Sequence, residues 1–90
     1  MVQWDPKKAE SNVEKHGVSF TEGTSVFDDP FSITIEDVSQ SIGEARFATI
    51  GYSERNRLLV VSYTERVNDI RIITTRTATP AERKIYEQGL

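Results

Sequence analysis

The chain has 90 residues, the size of one domain, so we expect residues 1–90 to form a single domain whose functional site is an open surface groove. It contains no cysteine and one histidine, which excludes disulfides, thiolate nucleophiles and zinc sites built from cysteines or several histidines, and we expect neither a metal nor a cofactor. The first residues lack the apolar core of a signal peptide, and no segment is apolar over the roughly 18 residues of a membrane span. We therefore expect a cytoplasmic protein that does not bind membranes.

The charge of the chain is unevenly distributed. A formal net charge of −3 argues against a general nucleic-acid binder, because neutralising phosphates usually requires a basic domain. Residues 1–45 carry three lysines against nine acidic residues, whereas residues 46–90 carry seven arginines and one lysine against five acidic residues. Guanidinium groups suit contacts with phosphate or carboxylate, so the second half is the candidate binding surface. Solvated strand edges and ordinary ion pairs explain the same arginines equally well.

Two helices are predicted at the beginning of the chain. Asp5-Pro6 is a good N-cap followed by proline at the first helical position, and Gly17 ends this helix. A second, short helix is predicted over residues 19–27, where Ser19 and Glu22 have the spacing of a capping box.

After Pro30 the period of the sequence changes from helical to two, which indicates strands. Residues 31–35 alternate apolar and polar side chains, as a strand with one buried face does, and residues 37–43 are polar and predict a loop. Three further strands are predicted over residues 46–52, 58–64 and 70–77. The connections at residues 54–56 and 67–68 are short enough for hairpins, so we expect an antiparallel meander of about four strands.

The last helix has the strongest local signal. Thr79-Pro80-Ala81-Glu82 combines an N-cap threonine, proline at the first helical position and glutamate three residues after the cap, and the helix is predicted to run to about Gln88. The fold class is therefore α+β, with two N-terminal helices, the meander and a C-terminal helix.

An ordered set of short motifs resembles the BrnT-type toxins over nearly the whole chain. The motifs that carry the resemblance are Trp4-Asp5-Pro6-Lys7-Lys8, Lys15-His16-Gly17-Val18, Phe27-Asp28-Asp29-Pro30, Arg46-Phe47, Ile50-Gly51, Tyr63-Thr64-Glu65-Arg66, Arg71-Ile72-Ile73 with Arg76, and Glu82-Arg83 with Tyr86-Glu87. This resemblance implies a RelE-like fold, metal-independent cleavage of RNA and growth arrest. It also implies neutralisation by a ribbon-helix-helix antitoxin, BrnA, whose complex with the toxin binds operator DNA through the antitoxin.

The implied chemistry selects Glu65 and Arg66 as the first catalytic candidates. Attack of a ribose 2′-OH on the adjacent phosphorus needs a base, donors to the phosphate oxygens and an acid, so Glu65 is proposed as the base and Arg66 as the phosphate ligand. Adjacent strand residues point to opposite faces, so the two share a site only where the strand ends or bulges. Arg46 is a candidate substrate contact, although it equally suits an exposed cross-strand ion pair with Glu65 that contributes under about 1 kcal/mol.

The other candidates come from the helices and the last strand. Imidazole ordinarily titrates near neutrality, so His16 is a catalytic candidate, although its place at the end of a helix equally suits capping or packing. Arg76 is a candidate substrate contact, predicted to lie roughly 20 Å from Arg66 at about 3.3 Å per residue. Three more candidate substrate contacts are Lys8, Lys15 and Tyr86. A solvated helix face explains the two lysines equally well, and core packing explains the tyrosine.

Two alternatives from other functional classes stay open. In the first, the fold is a non-catalytic module whose basic sheet binds RNA or an acidic segment of a partner protein. In the second, the chain is a structural partner that binds another protein through exposed strand edges.

Overall fold

The computed structural model describes residues 1–38 and 43–89, so part of the predicted loop over residues 37–43 lies outside the described residues. The elements in chain order are β1 (Val2–Gln3), α1 (Pro6–His16), α2 (Phe20–Thr24), a 3₁₀ turn (Ser25–Asp28), β2 (Ile33–Glu36), β3 (Arg46–Tyr52), β4 (Leu58–Arg66), β5 (Asp69–Thr77) and α3 (Pro80–Gln88). The strands form one sheet in the order β1-β5-β4-β3-β2. No helix in the described ranges is long and apolar enough to cross a membrane.

The sheet differs from the predicted four-stranded meander. Strands β2 to β5 are antiparallel neighbours, as expected, but β1 adds a fifth strand that runs parallel to β5 and pairs Val2 with Ile70. The sheet is therefore mixed. A strand of two residues has no readable period, and its pairing partner lies at the other end of the chain, so local sequence patterns do not reveal it.

Strand β2 begins later than predicted and does not have the expected buried face. Phe31 lies in a turn, where its backbone N–H donates to Asp29 Oδ1 at 2.9 Å. The Phe31 side chain is 75% exposed. Ile33 is half-buried, and the rest of the strand is exposed. Alternation predicts a buried face only where something packs on it, and β2 is the outer strand of the sheet.

The first and last helices follow the predicted signals. Asp5 caps α1, Gly17 ends it with φ of 67°, and Thr79 with Glu82 forms the complete capping box of α3. The second helix is shorter than predicted, because the α-helical part ends at Thr24 and a 3₁₀ turn continues to Asp28.

Only one of the two hydrogen bonds of the predicted capping box forms at the start of α2. The Ser19 hydroxyl accepts from the Glu22 backbone N–H at 3.0 Å, but the Glu22 carboxylate does not return to Ser19. It is buried and accepts from Ser53 at 2.7 Å and from Arg57 Nε at 2.9 Å. The bond from Arg57 holds the pKa of Glu22 below its ordinary value, so Glu22 ties α2 to the β3–β4 turn.

Helices pack against both faces of the sheet. Against the first face lie α1, α2 and the 3₁₀ turn, and the core there consists of Val18, Phe20, Val26, Leu59, Val61, Tyr63 and Ile72. Against the second face lies α3, over the buried residues Ile50, Leu58 and Val60 with Ala48, Ala78 and Ile85 beside them. We call these the α1 face and the α3 face.

A buried asparagine fixes α1 against the edge of β5. The Asn12 amide nitrogen lies 2.8 Å from the Val18 carbonyl and 2.7 Å from the Thr75 carbonyl, and Asn12 Oδ1 accepts from the Thr75 N–H at 3.2 Å. The side chain therefore pairs with Thr75 as a neighbouring strand would, and satisfies backbone groups that would otherwise be buried without partners.

Candidate functional site

Arginines occupy the α3 face towards the end of β4. The registers pair Arg46 with Thr64 and Thr64 with Arg71, so these three residues form one row across β3, β4 and β5. Ala48 and Val60 belong to the α3 core, and side chains two residues apart on a strand share a face. The row is therefore on the α3 face, and Arg66 follows it two residues after Thr64.

A hydroxyl group lies in the middle of this arginine row. Thr64 Oγ1 is buried and has no hydrogen-bond partner among the described residues. A buried hydroxyl without a partner costs free energy, and such a group beside guanidinium side chains is suited to bind a phosphate or ribose oxygen.

A β-bulge interrupts β5 next to this row. Ser62 pairs with Thr74 and Tyr63 pairs with Ile72, so Ile73 is an extra residue in β5. Bulges are common beside active sites because they redirect side chains and break the regular pairing. Here the bulge faces α1 across an open groove of about 260 Å³, lined by Lys8, Ser11, Asn12, Lys15, His16, Ile73 and Thr74.

The groove brings together three of the residues selected from the sequence. Lys8 and Lys15 are seven residues apart and so share one face of α1 with Asn12, while His16 completes the groove at the end of the helix. Because Asn12 is bonded to Thr75, this face of α1 is held against the bulge.

The groove and the arginine row meet at β5. Arg71 lies two residues before Ile73, about 7 Å along the strand at about 3.3 Å per residue. The basic groups of the α1 groove and those of the arginine row therefore border neighbouring residues of β5. We call this region the bulge site, and its residues are Lys8, Lys15, His16, Arg46, Thr64, Arg66 and Arg71.

The structure does not place Glu65 and Arg66 on the same side of the sheet. β4 continues regularly through Arg66, and the bulge is in β5, so the two side chains point to opposite faces. Glu65 is exposed on the α1 face, whereas Arg66 lies 3.0 Å from Glu44 in an exposed ion pair.

The register that would place Arg46 opposite Glu65 was wrong. Pairing with Glu65 requires a two-residue turn at Arg55-Asn56. Arg46 instead pairs with Thr64, because the β3–β4 connection spans the five residues between Tyr52 and Leu58. The Ser53 N–H donates to the Arg57 carbonyl at 2.8 Å and closes this longer loop.

Comparison with known proteins identifies the family. A family model described as "Ribonuclease toxin, BrnT, of type II toxin-antitoxin system" matches residues 4–82. The chain belongs to the BrnT family. The resemblance seen in the sequence is thus confirmed, and membership implies RNA as the substrate and an antitoxin as the partner.

The solved structures agree with this assignment. The crystal structure of the Brucella abortus ribonuclease toxin, BrnT, superposes with a TM-score of 0.68 at 18% sequence identity, covering 87% of this chain and 95% of that chain. At this identity the match shows the shared BrnT-like fold. No curated protein sequence matches the chain.

In this BrnT-family chain, Arg76 is held away from the bulge site. Its guanidinium group donates to both oxygens of Glu82 at 2.7 Å, which raises the pKa of Arg76 and lowers the pKa of Glu82 to about 2. Asp69, the partner of Arg66, is seven residues away along β5, so Arg76 and Arg66 are about 23 Å apart at about 3.3 Å per residue. Arg76 joins β5 to the beginning of α3.

Tyr86 is also committed to packing. Its hydroxyl donates to Asp29 Oδ2 at 2.6 Å, and its ring contacts Tyr52 edge to face at 5.4 Å. Burial, with the bond to Asp29, raises the pKa of Tyr86 to about 12. The structure therefore assigns this tyrosine to the α3 interface of the BrnT fold rather than to the bulge site.

Sequence patterns alone miss Arg71 and Thr64 as members of the site. The bulge at Ile73 is not marked by glycine or proline, and the register depends on the length of the β3–β4 loop. With the correct register, Arg46, Thr64 and Arg71 would have been found as one row.

Proposed function

We propose that this chain cleaves RNA at the bulge site without a metal ion, by attack of a ribose 2′-OH on the adjacent phosphorus. The observation that supports this proposal is that His16 and the two lysines border Ile73 in the α1 groove, while Arg71 of the arginine row lies two residues before Ile73 on β5. The site is an open groove, which suits a polymeric substrate better than an enclosed cavity does.

The phosphate is assigned to the arginine row. Arg46, Arg66 and Arg71 donate to the non-bridging oxygens, whose negative charge grows as the pentacoordinate phosphorus forms. The exposed pair between Arg66 and Glu44 is worth at most about 1 kcal/mol, so an incoming phosphate replaces Glu44 at little cost. Thr64 Oγ1 is buried, so it donates to the same phosphate only after the surrounding side chains move, and it thereby gains the partner it lacks.

Proton transfer is assigned to the α1 groove. In this proposal His16 accepts the proton of the 2′-OH, the O2′–P bond forms, the P–O5′ bond breaks, and Lys8 or Lys15 protonates the leaving O5′. The products are a 2′,3′-cyclic phosphate and a 5′-hydroxyl end. Glu65, near the end of β4, is the second candidate for the base. Mutation of each residue distinguishes Glu65 from His16.

Purified variants test the assignment by single-turnover cleavage of a labelled RNA in EDTA. We expect Arg71→Ala to reduce the rate about 10²-fold to 10³-fold and His16→Gln about 10²-fold or more. Arg55→Ala, an exposed arginine in the β3–β4 turn, is the control and should change the rate by less than about two-fold. A full loss in Glu65→Gln with an active His16→Gln would instead assign the base to Glu65.

The main alternative is a non-catalytic module on the same fold. It would gain support if the wild-type chain bound RNA at the bulge site, left it intact in EDTA or magnesium, and did not arrest growth. If Arg71→Ala lost RNA binding and the wild type showed no cleavage, the chain would be a non-catalytic RNA-binding module.

We further infer that the antitoxin is a ribbon-helix-helix protein of the BrnA type and that the complex acts in the cytoplasm. The BrnT membership supports this inference, as does the net charge of −3, which leaves operator DNA to be read by the antitoxin. Coexpression with the neighbouring reading frame should restore growth, and only the copurified complex should bind the operator.

A further inference from the structure

The two edges of the sheet differ in whether their backbone groups are paired. The edge at β5 is closed, because β1 pairs with Ile70 and Arg71 and the Asn12 amide pairs with Thr75. At the other edge, β2 pairs with β3 on its inner side, and no described residue pairs with its outer side. Unpaired strand edges bind further strands unless the protein protects them.

The backbone groups that point outward can be identified from the register. The Asp37 N–H donates to the Arg46 carbonyl at 2.7 Å, and bonded pairs alternate along an antiparallel ladder, so Ile35 and Ile33 also bond inward to β3. Thr34 and Glu36 therefore direct their N–H and C=O groups away from the sheet. They offer two donors and two acceptors to an added strand.

The side chains along this edge are apolar and acidic. Three large apolar side chains in and beside β2 are exposed: Phe31 by 75%, Ile35 by 41% and Val38 by 74%. Glu36 is exposed on the opposite face of the strand from Ile35, and Asp37 follows it in the sequence. An edge protected from pairing usually carries lysine or proline, and β2 has neither.

We propose that the outer edge of β2 binds an extended segment of a partner protein in which apolar side chains alternate with lysine or arginine. The outward groups of Thr34 and Glu36 bond to its backbone, its apolar side chains cover Ile35 and Phe31, and its basic side chains face Glu36. The proposal goes beyond RNA cleavage, since the acidic edge repels RNA. A second copy of this chain is disfavoured, because antiparallel pairing of two β2 edges would bring the acidic residues of both together.

Synthetic peptides added to the full chain test this binding. We use an eight-residue peptide of alternating valine and lysine, a peptide of equal charge with proline in place of valine, and one of alternating valine and glutamate. Fluorescence anisotropy should show at least about ten-fold tighter binding of the first than of either other peptide. Amide hydrogen exchange should slow at Thr34 and Glu36 on binding. Equal binding of the proline peptide would show simple charge attraction and would overturn the proposal.

Variants at the β2 edge distinguish strand addition from nonspecific binding. Glu36→Pro removes the carboxylate and an outward N–H while β2 stays paired with β3, and Glu36→Gln removes only the charge. Peptide binding should be at least about ten-fold weaker in Glu36→Pro than in Glu36→Gln. Phe31→Lys should weaken binding similarly, whereas Val67→Lys, which changes an exposed valine at the β4–β5 turn, should not. Unchanged binding in both edge variants would refute the proposal. So would protection of the Thr34 and Glu36 amides in a dimer without peptide.

The result for peptide binding at β2 is independent of the result for RNA cleavage at the bulge site. Cleavage by Glu36→Pro should equal that of the wild type, because Glu36 pairs with Phe47 and its side chain lies on the α1 face, whereas the arginine row lies on the α3 face. Failure of peptide binding with intact cleavage would refute only the docking edge, and binding without cleavage would refute only the ribonuclease site.

Discussion

The replacement Asn12→Ala tests the contact that holds α1 against β5. The change removes every partner that the Asn12 side chain provides to Val18 and Thr75, and all of these groups are buried. Water entering from the groove that Asn12 lines can replace these bonds only in part, so the low end of the cost per unsatisfied group applies. The residue therefore supports both the fold and the groove of the bulge site.

The magnitude follows from the groups left without partners. Three backbone groups lose their hydrogen bonds, the Val18 carbonyl and the carbonyl and N–H of Thr75. At about 1 kcal/mol for each unsatisfied group, the free energy of unfolding should fall by about 3 kcal/mol. For a domain of this size that corresponds to a decrease in Tm of roughly 12 to 24 °C.

Urea unfolding at pH 7 with thermal unfolding measures this loss. Ser11→Ala is the matched control, because Ser11 is the neighbouring residue of the same helix and its side chain makes no hydrogen bond to a described residue. It should alter the free energy of unfolding by less than about 0.5 kcal/mol. A loss below about 1 kcal/mol in Asn12→Ala, or an equal loss in Ser11→Ala, would show that the amide does not clamp α1 to β5.

Two further predictions concern packing and pH. A Cβ on Gly23 would collide with Thr75 Cγ2, so Gly23→Ala should cost about 2 kcal/mol in urea unfolding, and the second change Thr75→Ser should recover part of that cost by removing the methyl group. No recovery would place the strain elsewhere. The pKa of Glu82 is lowered to about 2 by Arg76, so the pair stabilises the fold above pH 4.5 and loses this effect as the pH falls towards 2. Glu82→Gln should therefore cost about 2 kcal/mol at pH 7, allowing for solvent screening, and the difference from the wild type should shrink below pH 4.5. A constant difference from pH 7 to pH 2.5 would refute the ion pair as its cause.

Local signals predicted the helices at both ends of the chain. Asp5-Pro6 with Gly17, and Thr79-Pro80 with Glu82, satisfy the backbone groups at helix ends through residues close in sequence, so the boundaries of α1 and α3 are readable. Strand β3 was also predicted with its observed ends, because the loops that flank it are local features of the sequence.

The parts that failed depend on contacts between distant residues. The parallel strand β1 depends on Ile70, the exposure of β2 depends on its place at the edge of the sheet, and the turning of Glu22 depends on Arg57. The hydrogen bonds of a capping box compete with any stronger partner that the fold brings near, and the guanidinium group of Arg57 is such a partner for the Glu22 carboxylate.

The candidate site was predictable only in part. His16 and the two lysines were found because their residue types suit RNA cleavage, and the helical spacing of the lysines places them together. Glu65 and Arg66 could share a site only if β4 ended or bulged between them, and β4 instead continues regularly through Arg66. Arg71 joins the site through the register and the bulge, which no local signal marks.

The central claim is that the chain uses the ribose 2′-OH as the nucleophile at the bulge site. Its most direct test is cleavage, in EDTA, of an RNA with a single 2′-deoxy substitution 5′ to the preferred scissile phosphate, with the product ends determined by mass spectrometry. We predict that the substituted position resists cleavage and that the unmodified RNA yields a 2′,3′-cyclic phosphate and a 5′-hydroxyl. Cleavage at the deoxy position, or products with a 5′-phosphate, would contradict the mechanism.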